Sequence, residues 1–548
     1  MKFTPQRSLY LSLIAFIILV HPAYLFSQTT NATIPHLQKH GTTTQLIVGN
    51  KPFLILGGEL GNSSASNMEY LRPNWKNFRE MHVNTILAPI YWDLIEPTEG
   101  NFDFVLVDSL IVNARRNDLK LILLWFGSWK NSMSCYVPSW IKTNQQRFPR
   151  ARTKDGKALE ILTPFNNENK TLDARVFATL MKHLYQFDRK QQTVIMVQVE
   201  NEIGMIADAR DYNSEANIFF TQQVPAEFIN YMQSNKSKLT PELSVAWQNS
   251  GGKTSGTWEE VFGKSLQTDE LFMAWYFGQY TNVVAAAGKK EYPLPMFVNA
   301  ALNRTGYKPG QYPSGGPLPH LFDVWKAAAP NIDFLSPDIY FNNFADWCIK
   351  YVQPGNPLFV PEVANGQSIA NAYYAIAQLG ALGYSPFSIE SLEHPEDNSV
   401  SKGYAVLQQL SPLILEHQGT NALAGVLLDS ADQIEKISLG EYVFTIKHEY
   451  SWAYATRTSG ETPRVGGLIV MLSPNEFLIA GSGIIITFES CLSNDSIVGI
   501  DRMEEGKFID GKWIAGRRMN GDQNHQGRHL HLPGGDFSIQ KIKLYKYK

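Results

Sequence analysis

The chain has 548 residues, 44% hydrophobic, 12% aromatic and 18% charged, with a formal net charge of −3. That much apolar material builds large cores and excludes a disordered polymer. A charge balance this near neutral, with no polybasic run, leaves no footprint for nucleic acid, and the scattered 40 glycines and 29 prolines exclude a collagen-like or low-complexity chain.

In chain order, Lys2 and Arg7 precede an apolar run, LYLSLIAFIILV (9–20), followed by HPAYLFSQTTNAT. A basic start, a short apolar stretch and then small and polar residues describe a secretory signal peptide, the apolar run falling short of the ~20 residues that span a bilayer. Residues 1–27 are therefore expected to be removed. The mature chain is expected to be exported to the periplasm, the cell surface or the medium, with no membrane span. Cys135, Cys348 and Cys491 are an odd number, so at least one is unpaired, and no Cys/His cluster has metal-ligand spacing.

From about residue 45 to 415 short apolar runs alternate with amphipathic segments. Eight runs read as strands: FLILGG (53–58), TILAPIY (85–91), LKLILLWF (119–126), TVIMVQVE (193–200), LPMFVNA (294–300), IDFLSPDIY (332–340), PLFVPE (357–362) and PFSIESL (386–392). Near-continuous apolar runs suit strands buried on both faces, and helical stretches such as 74–82, 105–117 and 176–190 lie between them. This order spells a (β/α)8 TIM barrel over residues 28–415. GGELGNSS (57–64) does not match the glycine-rich dinucleotide fingerprint that a doubly wound sheet would carry. The gap between the fourth and fifth strands, about 203–293, is long enough to shape a cleft. After about 420 the texture changes to β-prone runs separated by Gly, Pro, Asn and Asp: 441–448, 466–472, 476–488 and 538–547. This predicts an antiparallel β-sandwich over 416–548.

In a barrel the chemistry sits where strands end at their carboxyl side. The fourth strand runs into Asn201 and Glu202, and the seventh ends on Glu362. A buried carboxylate costs several kcal/mol unless paired, so an acid at each of these exits is a poor choice for packing. Two carboxylates aimed across one mouth are the minimum equipment for cleaving a glycosidic bond, one attacking the anomeric carbon while the other protonates the leaving oxygen. The competing reading is metal binding or a salt bridge. Around them, Glu59 at the first exit is a candidate for holding a sugar hydroxyl. Trp92 and Trp125 are candidates for a stacking platform, with packing inside the barrel as the alternative. Asn299 and Tyr340 sit at the fifth and sixth exits, and a Tyr there can hydrogen-bond the nucleophile. Glu96 and Glu99, in EPTEG, read as structural.

QVENEIG (198–204) resembles the acid/base motif of the clan of retaining barrel glycosidases. APIYWDLIEPTEGNFDF (88–104) is similar to the second-strand signature of glycoside hydrolase families 35 and 42, and VPEVANG to the nucleophile strand. With LLWFGSWKN, YVPSWIK, LPMFVNA and GGLIVMLSPNEFLIAG, the chain from about 45 to 548 resembles the bacterial family 35 β-galactosidases with a β-rich carboxy-terminal domain. The resemblance implies Glu202 as general acid/base, Glu362 as nucleophile and Asn201 on the sugar 2-hydroxyl. It implies retention by double displacement, a β-galactoside-containing oligo- or polysaccharide as substrate, and no cofactor or metal. The chain departs from the better-known eukaryotic-type members, which carry His-Tyr at the first exit and Cys-Ala-Glu after the third strand; here stand Glu59-Leu60-Gly61 and Gly127-Ser128-Trp129. The alternatives left open are the same machinery acting on another β-linked sugar (glucose, xylose or fucose) and a carbohydrate-binding protein without catalysis.

Overall fold

The computed structural model describes residues 1, 33–364, 366–451, 462–492 and 496–548; residues 2–27 of the expected signal peptide lie outside the described residues. A three-stranded antiparallel sheet (His36–His40, Thr43–Val48, Lys51–Phe53) leads into a closed parallel barrel of eight strands. These are β1 (Ile55–Glu59), β2 (Thr85–Tyr91), β3 (Lys120–Lys130), β4 (Val194–Asn201), β5 (Met296–Ala301), β6 (Phe334–Ile339), β7 (Val360–Val363) and β8 (Gly383–Pro386), paired in chain order with β8 closing on β1. Every residue of β2 and of β4 is buried, as expected for strands with the lumen on one face and helices on the other.

The eighth strand corrects the sequence reading. Strand pairing runs through Gly383–Pro386, whereas most of the expected run, PFSIESL, forms a turn with Ser388 at φ 52° and a 3-10 turn, Ile389–Ser391. Ile389 looked strand-like because it is fully buried, yet it is buried against Gly58, where a Cβ would lie 2.6 Å from it.

The helix Asn167–Asp188, N-capped by Asn166, packs against the long helix Leu266–Glu291, N-capped by Ser265. Their close approach needs Gly288, whose Cβ would lie 2.3 Å from the Phe177 ring. Between β4 and the long helix, the excursion folds into the short helices Ser214–Phe220, Ala226–Ser234, Pro241–Asn249 and Trp258–Phe262.

Beyond the last barrel helix, Ser399–His417, the chain forms a six-stranded and a four-stranded antiparallel sheet. The run 476–488 is broken at Gly483 (φ 71°) into Glu476–Ser482 and Ile484–Ser490, which belong to different sheets. Ser538–Tyr547 lies inside the larger sheet, between Glu476–Ser482 and Ile497–Ile509. Alternation divides the larger sheet's side chains. Ile469, Phe477 and Ile479 face the smaller sheet, with Phe444 and Ile486, while Leu468, Val470, Leu478 and Ala480 join the barrel's own core. Burying each large apolar side chain stabilises the junction by about 2 kcal/mol, so barrel and sheets share one interior. Arg464 pins the same junction: its guanidinium donates to Asp429 Oδ1 (2.5 Å), to Asn371 Oδ1 (3.2 Å) and to the carbonyl of Asn342, two residues beyond Tyr340. No helix among the described residues is long and apolar enough to cross a membrane.

Candidate active site

The site is built where β3 and β4 lose their common register. Their pairing jumps from Trp125↔Val199 to Lys130↔Asn201, so β3 bulges outward before its end. The bulge turns Lys130 inward, and its Nζ donates to Asn201 Oδ1 at 2.8 Å. Asn131 (φ 55°) and Ser132 (φ 57°) follow in the left-handed region, as do Glu200 (φ 61°) and Glu202 (φ 46°) on β4's end. Such backbone costs about 1 kcal/mol or more per residue and persists only when its surroundings hold it. Here they do: Ser132 Oγ donates to the Glu202 carbonyl (2.6 Å), and the Glu202 N–H donates to Asn299 Oδ1 (2.9 Å).

The carboxyls converge from four strands. Glu202 accepts a hydrogen bond from Asn131 Nδ2, and Glu362 accepts one from the Tyr340 hydroxyl. Glu59, from β1, hydrogen-bonds to Glu362. Asp338, from β6, accepts from Asn299 Nδ2 at 2.6 Å. Glu59, Lys130, Asn201, Glu202, Asn299, Asp338 and Glu362 are all more than nine-tenths buried, whereas Tyr340 is 44% exposed and forms the rim. Apart from the bond between the Glu59 and Glu362 carboxyls, Glu59 Oε1, Asn201 Nδ2, Asp338 Oδ1 and Glu362 Oε2 have no hydrogen-bond partner among the described residues. Buried polar atoms are nearly always satisfied, so a group of bare ones around one mouth is prepared for a polyhydroxylated ligand. A cavity of about 350 Å³ opens there, walled by Glu202, Asp338, Tyr340, Tyr307, Tyr312 and Phe341.

Burial, and then the charge of Glu202, push Glu362 up to about 7; Lys130 and the hydrogen bonds from Tyr340 and Glu59 pull it back. Burial, and then Glu362, hold both Glu59 and Asp338 well above the usual carboxylate range. Burial in this pocket therefore favours the protonated forms of Glu59 and Asp338, and the nearby Lys130 ammonium opposes it.

Behind β3 lies a second acid pair. Asp173, on the helix Asn167–Asp188, accepts from Trp125 Nε1 (2.9 Å), Ser128 Oγ (2.7 Å) and the Tyr280 hydroxyl (3.0 Å). Its carboxyl is hydrogen-bonded to that of Glu200, a bond that needs one proton between the two; burial raises both, and burial and then Asp173 hold Glu200 well above the usual range. Glu200 Oε2 accepts the Trp129 N–H at 2.9 Å and so ties the bulge to β4.

The structure brings together Glu59, Asn201, Glu202, Asn299, Tyr340 and Glu362. It does not bring Trp92 or Trp125 to them, which corrects the stacking platform. Both are fully buried and stack on each other, with centroids 6.3 Å apart, and Trp125 also packs on Phe177 of the outer helix. Their indole N–H groups are spent on Glu96 (3.0 Å) and Asp173. Sequence reasoning missed Lys130, Asn131, Asp338 and the Asp173–Glu200 pair. Asp338 left a signal, being an acid inside a strand buried on both faces; Lys130 and Asn131 left none, because their direction depends on the bulge. Glu96 is structural, buried and accepting from Trp92, Arg175 and the Gly100 N–H. Among the described residues, no group of three or more His, Cys, Asp or Glu is placed to hold a metal ion.

Residues 45–268 match the family model of the glycosyl hydrolases family 35, and residues 400–531 match that of a domain of unknown function, DUF5597. A stretch of 190 residues is 25% identical to a β-galactosidase of Xanthomonas manihotis, covering 33% of this chain and 28% of that protein. Among solved structures, a β-galactosidase from Rahnella sp. R3 is similar at a TM-score of 0.46 and 16% identity, covering 66% of this chain and 57% of that one. One from Bacillus circulans sp. alkalophilus is similar at a TM-score of 0.45 and 14% identity, with the same coverages. The chain thus spans little more than a quarter of the relative and just over half of each structure.

Proposed function

We propose, from the premise that this chain belongs to glycosyl hydrolase family 35 through its residues 45–268, that it is an exo-acting, retaining β-galactosidase that removes terminal β-D-galactosyl units from oligo- or polysaccharides. The observation that carries the reading is the pair Glu202 and Glu362. Far apart in sequence, they stand at the exits of β4 and β7 and feel each other's charge across one buried, partly unsatisfied mouth.

In the first half-reaction the Glu362 carboxylate attacks the anomeric carbon while protonated Glu202 donates its proton to the glycosidic oxygen. The C–O bond to the leaving group breaks, and a glycosyl ester forms on Glu362. In the second, ionised Glu202 takes a proton from water, whose oxygen attacks the same carbon and frees the Glu362 carboxylate. Asn201, with a bare Nδ2 and an Oδ1 held by Lys130, is placed to bond the hydroxyl next to the anomeric centre. Asp338, held well above the usual carboxylate range and with a bare Oδ1, can donate to a sugar hydroxyl when protonated.

The test is a panel of aryl β-glycosides followed by Glu362→Ala. Galactose release should lead the panel. The variant should lose turnover by orders of magnitude and recover part of it with azide, yielding the α-galactosyl azide; normal turnover in the variant sinks the nucleophile assignment. A second reading, the same machinery on another β-linked sugar, is favoured by one observation: Glu59, beside Glu362, stands at the first exit, where the better-known family members carry His-Tyr. The same panel separates the two. Export is also part of the proposal, and amino-terminal sequencing of the exported protein should begin near residue 28.

A further inference from the structure

A second cavity, of about 570 Å³, lies beside the catalytic one, between the helix Pro241–Asn249, the start of the helix Leu266–Glu291 and the loop 303–312. Tyr307 and Tyr312 line both cavities. Tyr307 is 49% exposed, and the Arg304 guanidinium lies over its ring at 5.9 Å and over Phe341 at 5.6 Å. Tyr307, common to both linings, therefore stands between the two hollows. Beneath it Glu270 is buried and already paired, accepting from Tyr312 (3.1 Å), His320 (3.0 Å) and the Gly315 N–H (3.3 Å). The lining alternates apolar and amide side chains, Val245, Ala246 and Leu271 with Asn249, Gln267 and Asn303, and its unburied charges, Glu242 and Lys308, oppose each other in sign.

Such a surface suits a neutral ligand with apolar faces and many hydroxyls. Its direction follows from Glu202, a wall of the first cavity. The acid faces the leaving oxygen, so space continuing past it belongs to the leaving group.

We propose that the second cavity binds the leaving-group portion of the substrate, a neutral galactoside chain of three or more sugars that crosses Tyr307 and seats its distal units against the helix Pro241–Asn249. This deepens the hydrolase reading and rests on it: the enzyme trims the ends of long chains rather than small galactosides. Binding energy from remote sugars is spent at the reacting centre, so short substrates lose turnover as well as affinity.

The experiment compares kcat/KM for an aryl β-galactoside with that for galactosyl di-, tri- and tetrasaccharides. The wild-type value should rise about tenfold or more from the di- to the tetrasaccharide. Ala246→Trp, which fills the cavity, should abolish that rise, as should Asn303→Ala, a second variant in case the first fails to fold. A flat wild-type series, or a rise retained in the folded variants, overturns the proposal. Calorimetry with the galactose-free chain separates this failure from that of the hydrolase reading. If no galactoside is turned over, the hydrolase reading falls; binding to wild type but not to Ala246→Trp still upholds the cavity's role, and absence of binding ends it.

Discussion

Tyr340→Phe deletes one hydroxyl and keeps the ring, which is 44% exposed, so the substitution opens no internal void. The hydroxyl donates to Glu362 Oε1, and this bond favours the ionised carboxylate. A hydrogen bond to a charged group is worth about 1.5–3 kcal/mol, and 1.36 kcal/mol corresponds to one pK unit. The wild-type acid limb of kcat/KM should fall near pH 7, where burial and Glu202 place Glu362. Losing the bond destabilises the anion, so the limb should move upward by about one to two pH units. Below both midpoints the variant should be about 10- to 100-fold slower, and above both the gap should narrow. The assay is kcat/KM on an aryl β-galactoside from about pH 4 to 10, a quantity that reports the free enzyme, with thermal melting as the control for folding. A uniform loss at every pH, with the limb unmoved, would show that Tyr340 does not tune Glu362.

The remaining predictions probe the groups around the pair. Lys130→Met removes the cation that pulls Glu59, Asp338 and Glu362 down, so the acid limb of the same profile should again rise; a limb that stays in place contradicts the charge assignment. Glu200 has a raised folded-state value, so its contribution to stability is full below the unfolded carboxylate value and declines as pH rises through the folded one. Glu200→Gln, whose amide donates to Asp173 without titrating, should match wild-type melting near pH 4 and exceed it increasingly as pH rises into alkali, while Glu200→Ala should cost about 2–3 kcal/mol by stranding Asp173 and the Trp129 N–H. Equal alkaline melting of Glu200→Gln and wild type would count against the shared proton. Trp125→Phe should lower stability by about 1–3 kcal/mol through its lost bond to Asp173 while leaving KM within about twofold; a tenfold rise in KM without a change in melting would restore Trp125 to the sugar site.

Strand-length apolar runs made the barrel legible because its strands are buried on both faces, and TILAPIY marks β2 to the residue. GYSP carries no such signal, so β8 was displaced towards the more apolar segment beyond it. The acids at the ends of β4 and β7 were legible because packing has no use for them there. What surrounds them was not. In a regular strand Glu200 and Glu202 would face the same way, yet the left-handed turn of each lets one reach the outer helix and the other the mouth. The bulge in β3 likewise decides that Lys130 and Asn131 point inwards, while the bulky Trp125 just before it is sealed behind the wall. Local backbone reversals of this kind are set by tertiary hydrogen bonds, and periodicity cannot foretell them.

Arg464 belongs to the carboxy-terminal sheets, yet one arm of its guanidinium ends on the loop that carries Tyr340, the residue that steadies Glu362. The sheets are therefore a buttress for the carboxyl cluster at the barrel mouth and not a detachable appendage. A fragment stopped at His417 would bare Leu423's docking face on the barrel and slacken the segment beside Glu362, so any transplant of this barrel onto another scaffold has to carry those strands along.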